Sequence, residues 1–197
     1  MRRLQGGGPV ASRTQIVCLC EGTKGSIDTV FIHKLMKTLR PAWLRTHGSN
    51  VIRLQSCGSR SELIKRTPEQ FQYCLNAGGD TTLMVWADCD DNCADGEALK
   101  IEFWNEANRS GIARDAFDRI VFIFAKDRLE NWIEFLRTGQ TNEDVEGPRI
   151  NDSKEAAETA KKLADLCRAG RPVRNMPPSL MWSCENWRAL VERMKLS

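Results

Sequence analysis

The stretch LMVWADCDDN at residues 83–92 decides the fold. Its first five residues are apolar and follow the turn signal at 78–80, which predicts a buried β-strand. Three acids then fall within four positions, and alternation along an extended chain puts Asp88 and Asp90 on one face and Asp91 on the other. Two carboxylates about 7 Å apart at a strand's end repel each other unless a cation lies between them. The pair therefore predicts a site for Mg²⁺, Mn²⁺ or Ca²⁺, and an acidic turn that caps a helix is the alternative interpretation.

A second predicted strand ends in a similar way. The apolar run QIVCLC at 15–20 leads into Glu21 and Gly22 and then into a helical pattern that starts at residue 27. A strand followed by an acid, a glycine and a helix is the layout of an α/β active-site loop. Because parallel strands bring their carboxyl ends to one edge of a sheet, we expect Glu21, Asp88 and Asp90 to lie close together.

These two motifs, in this order, resemble the Toprim domain of topoisomerases, primases and the overcoming-lysogenization-defect nucleases. In that family the Glu of Glu-Gly and the Asp-x-Asp pair hold catalytic Mg²⁺. The resemblance covers roughly residues 15–137 and implies Glu21, Asp88 and Asp90 as ligands of Mg²⁺, with Mn²⁺ as a substitute.

Three further acids could bind a second metal ion or take part in catalysis: Asp28, Asp91 and Glu130. Related nucleases often carry an acid four positions after the Glu of Glu-Gly, where this chain has Gly25, so Asp28 is the candidate to replace it. The stretch LENW at 129–132 also resembles an acid-plus-Trp motif of small stand-alone Toprim proteins, which makes Glu130 the preferred extra ligand. The alternative role for Glu130 is a helix-start acid favoured by the helix dipole.

Basic residues near the same predicted edge are candidates for contact with phosphate. Lys126 follows the predicted strand 119–125, and the resemblance implies that a lysine there stabilises negative charge on the phosphate. An exposed lysine without a role is the alternative. Lys24, Arg60 and Arg128 are further candidates for nucleic-acid phosphates.

The hydrophobic pattern alternates between strand and helix along most of the chain. It predicts strands over 15–20, 50–58, 83–88 and 119–125, and helices over 27–39, 61–76, 95–111 and 126–136. The second helix is expected to be interrupted or to restart at Thr67-Pro68. This order predicts an α/β fold, Rossmann-like, with a mostly parallel sheet and helices on both faces.

Three regions are predicted along the chain. Residues 1–14 read as a flexible tail, 15–137 as a Toprim-like catalytic domain, and 138–197 as a C-terminal helical extension packed on the same domain. The extension is expected to hold one helix over 152–167 and a last helix capped by Ser183.

Composition restricts the compartment and the partners. The 197 residues carry a net charge of +3, so any contact with a polyanion must be local. The eight cysteines lack the Cys-x-x-Cys spacing of zinc sites, and only two histidines are present, which favours reduced thiols in a cytoplasmic protein over zinc ligands. No apolar core follows Arg2-Arg3 as in a signal peptide, and no run is long enough to span a bilayer, so no membrane partner is expected.

The resemblance implies a Mg²⁺-dependent nuclease that cleaves DNA or RNA. The resemblance implies a part of a prokaryotic defence module with a separately encoded ATPase, since no P-loop motif is present here. The alternative is a non-catalytic subunit that binds phosphate or nucleic acid in an ATPase-containing complex. A topoisomerase is disfavoured because the only tyrosine, Tyr73, falls on a predicted helix away from the acids.

Overall fold

The computed structural model describes residues 15–39, 52–77, 81–89, 95–170 and 173–195. In this part of the chain four parallel strands form one sheet in the order β2-β1-β3-β4. Their bounds are β1 Gln15–Cys20, β2 Ile52–Ser56, β3 Thr81–Cys89 and β4 Val121–Lys126. The strand order reverses between β1 and β3, and this reversal opens a crevice at the carboxyl ends of those two strands.

Seven helices of the described residues cover both faces of the sheet. They are α1 Ile27–Leu39, α2 Arg60–Ala77, α3 Gly96–Arg109, α4 Arg114–Phe117, α5 Leu129–Thr138, α6 Ser153–Ala169 and α7 Pro178–Lys195. One buried core joins the sheet to α1, α5, α6 and α7, and the other joins it to α2, α3 and α4. The predicted α/β class with a parallel sheet between two helical layers is confirmed.

Two predicted details of the helices are wrong. Helix α2 runs unbroken through Pro68, and the hydroxyl of Thr67 donates to the carbonyl of Leu63 one turn earlier. Helix α7 begins at Pro178 rather than near Ser183, because proline suits a first helical turn and a distant buried carboxylate caps the helix. That carboxylate belongs to Glu143, which accepts hydrogen bonds from the amide and the hydroxyl of Ser179.

Helix α7 packs along the outer side of β4, the edge strand of the sheet. The hydroxyl of Ser183 accepts from the amide of Phe124 at 3.0 Å and donates to the carbonyl of the same residue at 3.1 Å. The side-chain amide of Asn186 donates to the carbonyl of Phe122 at 3.1 Å. Backbone groups that a fifth strand would otherwise pair are therefore satisfied by the side chains of a helix.

Several predicted features lie outside the described residues. They are the tail at 1–14, the turn at 78–80, and the acids Asp90 and Asp91. Among the helices that the structure describes, none combines the length and the apolar character needed to cross a bilayer.

Ser183→Ala should destabilise the protein, because it leaves two backbone groups of Phe124 without a partner in a buried position. The expected loss is roughly 1–3 kcal/mol of unfolding free energy, measured by urea denaturation. Ser153→Ala, at an exposed position of α6, is the matched control and should change stability by less than about 0.5 kcal/mol. Equal losses in the two variants would contradict the role given to Ser183.

Candidate active site at the carboxyl edge of the sheet

Glu21 and Asp88 lie on the two strands that flank the crevice. Glu21 follows β1 directly, and its amide donates to the carbonyl of Trp86 at 3.4 Å. Asp88 is the next-to-last residue of β3 and pairs in register with Ala125 of β4. Glu21, Asp88 and Asp28 of α1 line one small cleft, so two of the three predicted principal ligands and one predicted extra ligand share a single depression.

Gly22 lets the carboxylate of Asp28 approach this cleft. Its φ of +79° is a conformation that L side chains rarely adopt. A Cβ at this position would lie 2.9 Å from the hydroxyl of Ser26 and 3.0 Å from Oδ2 of Asp28. Ser26 in turn donates to Oδ2 of Asp28 at 3.3 Å. The glycine of the Glu-Gly motif is therefore required both by the turn and by the space that Ser26 and Asp28 occupy.

Carboxylates crowd each other at this edge. Burial raises the pKa of Asp28, and the hydrogen bond from Ser26 opposes that rise. Burial also raises the pKa of Glu130, and the negative charges of Asp28 and Asp127 raise it further. Glu130 lies in the first turn of α5, so the loop after β1, the helix α1, the strand β3 and the helix α5 all bring acids to the same edge. Desolvation and like charge both favour a cation here.

Asp127 is a member of this cluster that the sequence analysis missed. It stands between β4 and α5 with a φ of +60°. The amide of Arg128 donates to the carbonyl of Lys126 at 2.8 Å, which closes a three-residue turn around Asp127. A γ-turn with positive φ at its centre is rare and strained, and strain of this kind often accompanies a functional site.

The carboxylate of Asp127 is also incompletely satisfied. Its Oδ2 is buried and has no hydrogen-bond partner among the described residues. Its amide donates to the carbonyl of Cys89 at 2.8 Å, which places Asp127 beside the end of β3, next to Asp88. The one signal in the sequence was an Asp at the junction of strand and helix, a residue type that tolerates left-handed backbone better than most.

Lys126 lies in the wall of a different and larger pocket of about 500 Å³. This pocket is formed by the loop 141–144, by the first turns of α3 and α7, and by the ends of β3 and β4. The ammonium of Lys126 pairs with Asp144, and this hydrogen bond raises the pKa of Lys126. Arg128 likewise forms an ion pair with Glu146, at 2.5 Å.

A basic groove of about 550 Å³ lies on the other side of the acidic cleft, between α1 and β2. Lys24, His33 and Lys34 line it together with Gln55 and Ser56 at the end of β2. The described lining includes no acidic side chain. Lys24 belongs to the loop that carries Glu21, so the basic groove begins where the acidic cleft ends.

The metal-ligand assignments stay predictions. Among the described residues no group of three or more His, Cys, Asp or Glu side chains is close enough together to hold a metal ion. Asp90, the third principal ligand expected from the Asp-x-Asp motif, lies outside the described residues. The structure thus places Glu21, Asp28 and Asp88 in one cleft. The remaining principal ligand of the prediction, Asp90, is not described.

The cysteines in the sheet are buried thiols. Cys18, Cys20 and Cys89 lie in β1 and β3 and are free and buried. Burial raises the pKa of Cys20 to about 12 and that of Cys18 as well, which keeps both protonated at neutral pH. Their burial agrees with the expectation that these cysteines are reduced thiols inside apolar segments.

Comparison with known proteins finds no match: no family model fits this chain, and neither the curated proteins nor the solved structures include a significant relative. The residues of the site itself are therefore the basis for any functional conclusion.

Gly22→Ala should destabilise the protein more than Gly25→Ala. Both glycines have positive φ, +79° and +88°, so both variants carry backbone strain of about 1 kcal/mol or more. Only the Cβ at Gly22 meets Ser26 and Asp28, whereas the space around Gly25 is open. Urea denaturation of the two variants isolates this contact, and equal losses of stability would show that Gly22 serves the turn alone.

Ionisation of Asp28 and Glu130 should lower stability as the pH rises. Both pKa values are raised in the folded protein, so their stabilising contribution is complete below the unfolded values near 4 and is lost through the raised folded values. Asp28→Asn and Glu130→Gln should therefore lose less stability than the wild type between about pH 4 and pH 7. Metal-free urea denaturation over this range measures the effect, and the exposed Asp165→Asn should follow the wild type. Parallel curves for all four proteins would contradict the crowding of charge at this edge.

Proposed function

We propose that this protein is a Toprim-like, Mg²⁺-dependent phosphodiesterase that cleaves DNA or RNA, with Mn²⁺ able to replace Mg²⁺. The observation that supports it is the cleft lined by Glu21, Asp28 and Asp88 at the point where the strand order of a parallel sheet reverses. Ligands of open α/β sheets bind in this crevice, beyond the carboxyl ends of the strands. A cytoplasmic defence module with a separately encoded ATPase is the setting we propose.

The donor set suits a hard divalent cation. All of its side chains offer carboxylate oxygens, which Mg²⁺ and Mn²⁺ prefer. Burial raises the pKa values of Asp28 and Glu130, the negative charges of Asp28 and Asp127 raise that of Glu130 further, and Oδ2 of Asp127 is buried without a hydrogen-bond partner among the described residues. A bound cation would relieve each of these unfavourable conditions. We assign Glu21, Asp88 and Asp90 as its principal ligands, with Asp28 and Glu130 as further ligands.

A cation at this position supplies Lewis-acid polarisation of the phosphodiester and stabilises negative charge on its oxygens. The protein's own groups supply the rest. Glu130, half-buried beside the other carboxylates, would hold the metal or position the attacking water. We propose that Lys126, which its ion pair with Asp144 keeps protonated in the wall of the neighbouring pocket, stabilises the negative charge that the phosphate acquires.

The basic groove is the proposed path of the nucleic-acid backbone. Lys24, Lys34 and His33 present cationic or hydrogen-bonding groups beside the acidic cleft, and contacts to phosphate position a strand without reading its sequence. The net charge of the chain, only +3, is compatible with a basic surface that is confined to this groove. Lys24 lines the groove three residues after Glu21, so a backbone held in the groove would bring a phosphate close to the carboxylates.

The same groove favours one alternative, a non-catalytic subunit that binds phosphate or nucleic acid for a partner ATPase. Such a subunit needs the basic groove but no hydrolysis. Strand transfer through a tyrosine is not part of either proposal. Tyr73 lies on α2, which covers the opposite face of the sheet from α1, and its ring packs under the guanidinium of Arg53.

Asp88→Asn should reduce cleavage by at least about 100-fold, because it removes a charged ligand while keeping the size of the side chain. The assay uses single- and double-stranded DNA and RNA with Mg²⁺, Mn²⁺ or EDTA, and with any partner ATPase supplied. Mg²⁺ should also raise the thermal midpoint of the wild type and not that of Asp88→Asn, since binding to the native state stabilises it. Asp165→Asn on the exposed face of α6 is the control for charge. A variant Asp88→Asn that cleaves as fast as the wild type would refute the assignment.

Lys126→Ala and the pair Lys24→Ala and Lys34→Ala should have different effects. We expect Lys126→Ala to lower single-turnover cleavage far more than affinity, because charge stabilisation acts on the transition state. The groove variants should weaken binding and lower the salt dependence of the affinity by about one unit per lysine. Binding is measured in Ca²⁺ without cleavage, and Lys161→Ala on α6 is the control.

The outcome decides between the two proposals. Weakened binding by the groove variants together with an absence of hydrolysis in every metal would favour the binding subunit. Unchanged binding by all variants would remove the groove from both proposals.

A further inference from the structure

Two cysteines of the C-terminal helices lie in contact. Cys167 near the end of α6 and Cys184 in α7 place their Sγ atoms 3.4 Å apart. Both side chains are free thiols and partly exposed, unlike the buried cysteines of the sheet. A disulfide has an S–S length of about 2.05 Å, so the sulfurs need to approach by only about 1.4 Å. These two thiols have no role in the proposed cleavage site.

The space around the pair allows that approach. The two cysteines border a small apolar cavity of about 20 Å³ that Leu163, Leu180 and Trp187 also line. Rotation of either side chain toward the other therefore meets few packed atoms. The alternative explanation is a pair of core thiols in van der Waals contact, which would fit the apolar lining equally well but would not respond to an oxidant.

We propose that Cys167 and Cys184 form a reversible disulfide, a modification site that takes a hydroperoxide as oxidant and a dithiol as reductant. The proposal does not depend on the function of the acidic cleft. It rests on the contact of the two sulfurs, on their partial exposure and on the room beside them.

The charges around the pair assign the two roles. The two thiols share one hydrogen bond, which lowers the pKa of Cys184, and the guanidinium of Arg188 lowers it further against the effect of burial. Cys184 is therefore the residue that becomes a thiolate, and the thiolate is the nucleophile. The same hydrogen bond, together with burial, raises the pKa of Cys167.

The reaction has two balanced steps. The thiolate of Cys184 attacks one oxygen of hydrogen peroxide, forms a sulfenic acid and releases hydroxide. The sulfur of Cys167 then attacks the sulfenic sulfur, the S–S bond forms, and the S–O bond breaks as the thiol proton leaves with the oxygen to give water. Two electrons pass from the sulfurs to the peroxide. A dithiol reverses the change by thiol–disulfide exchange.

The bond would join helices that are anchored to different parts of the fold. Helix α6 packs on α1, whereas α7 packs on β4 through Ser183. Oxidation therefore links α7, whose first turn forms one wall of the 500 Å³ pocket, covalently to α6, which packs on the helix that carries Asp28. The other described cysteines are less suited to react with the oxidant. Burial raises the pKa of Cys20 and of Cys74, and the thiolate is the reactive form.

The test uses the full chain, reduced and then treated with about one equivalent of hydrogen peroxide. We expect the number of free thiols to fall by two, the intact mass to fall by two hydrogens, and peptide mapping to link Cys167 with Cys184. The thermal midpoint should rise by roughly 5 to 10 °C, and dithiothreitol should reverse every change. Cys184→Ser should abolish the link, and Cys74→Ser should retain it.

The opposite results would overturn the proposal. Stable addition of oxygen to Cys184 without a link, a link between other cysteines, or an unchanged thiol count would each do so. The mass and the peptide map of the wild type decide the question even if a variant fails to fold.

Discussion

The parallel pairing of β1 with β3 is the constraint on which the rest of the structure depends. Both strands are buried on both faces, and they pair in register from Gln15 with Thr81 to Cys20 with Trp86. Chain order then sends α1 to one face and α3 to the other. Glu21, directly after β1, and Asp88, near the end of β3, therefore border one acidic cleft. Any change that shifted this pairing by one residue would turn Asp88 away from Glu21.

Acidic and basic side chains occupy separate parts of the carboxyl edge, which the small net charge of the chain does not reveal. The centre, between β1 and β4, holds the carboxylates, and the side toward β2 holds Lys24 and Lys34. The side toward α7 holds the large pocket, where Lys126 is matched by Asp144. A near-neutral chain thus presents neighbouring acidic and basic regions, the arrangement needed to hold a cation and a polyanion side by side.

The sequence predicted well those features that depend on local pattern. Strands buried on both faces give continuous apolar runs, and acids follow such runs at the carboxyl edge, so β1, β3 and the proximity of Glu21 to Asp88 were anticipated, whereas their role as metal ligands stays a prediction. Features that depend on contacts between distant segments were not predicted. The start of α7 depends on Glu143, which lies 36 residues before its partner Ser179. The backbone of β4 depends on Ser183, which lies 59 residues after its partner Phe124. The left-handed backbone conformation of Asp127 likewise arises where β4 meets α5. The residue type at this position indicates it only weakly.

The hydrogen bonds between the backbone of β4 and side chains of α7 have a consequence for biosynthesis. Helix α7 is translated after every other described element, so the ribosome exposes a complete four-stranded sheet before Ser183 and Asn186 reach it. During that interval the backbone of Phe122 and Phe124 is open to pairing with a strand from another nascent chain, the usual beginning of aggregation. The docking of α7 therefore protects the backbone of β4 from such pairing.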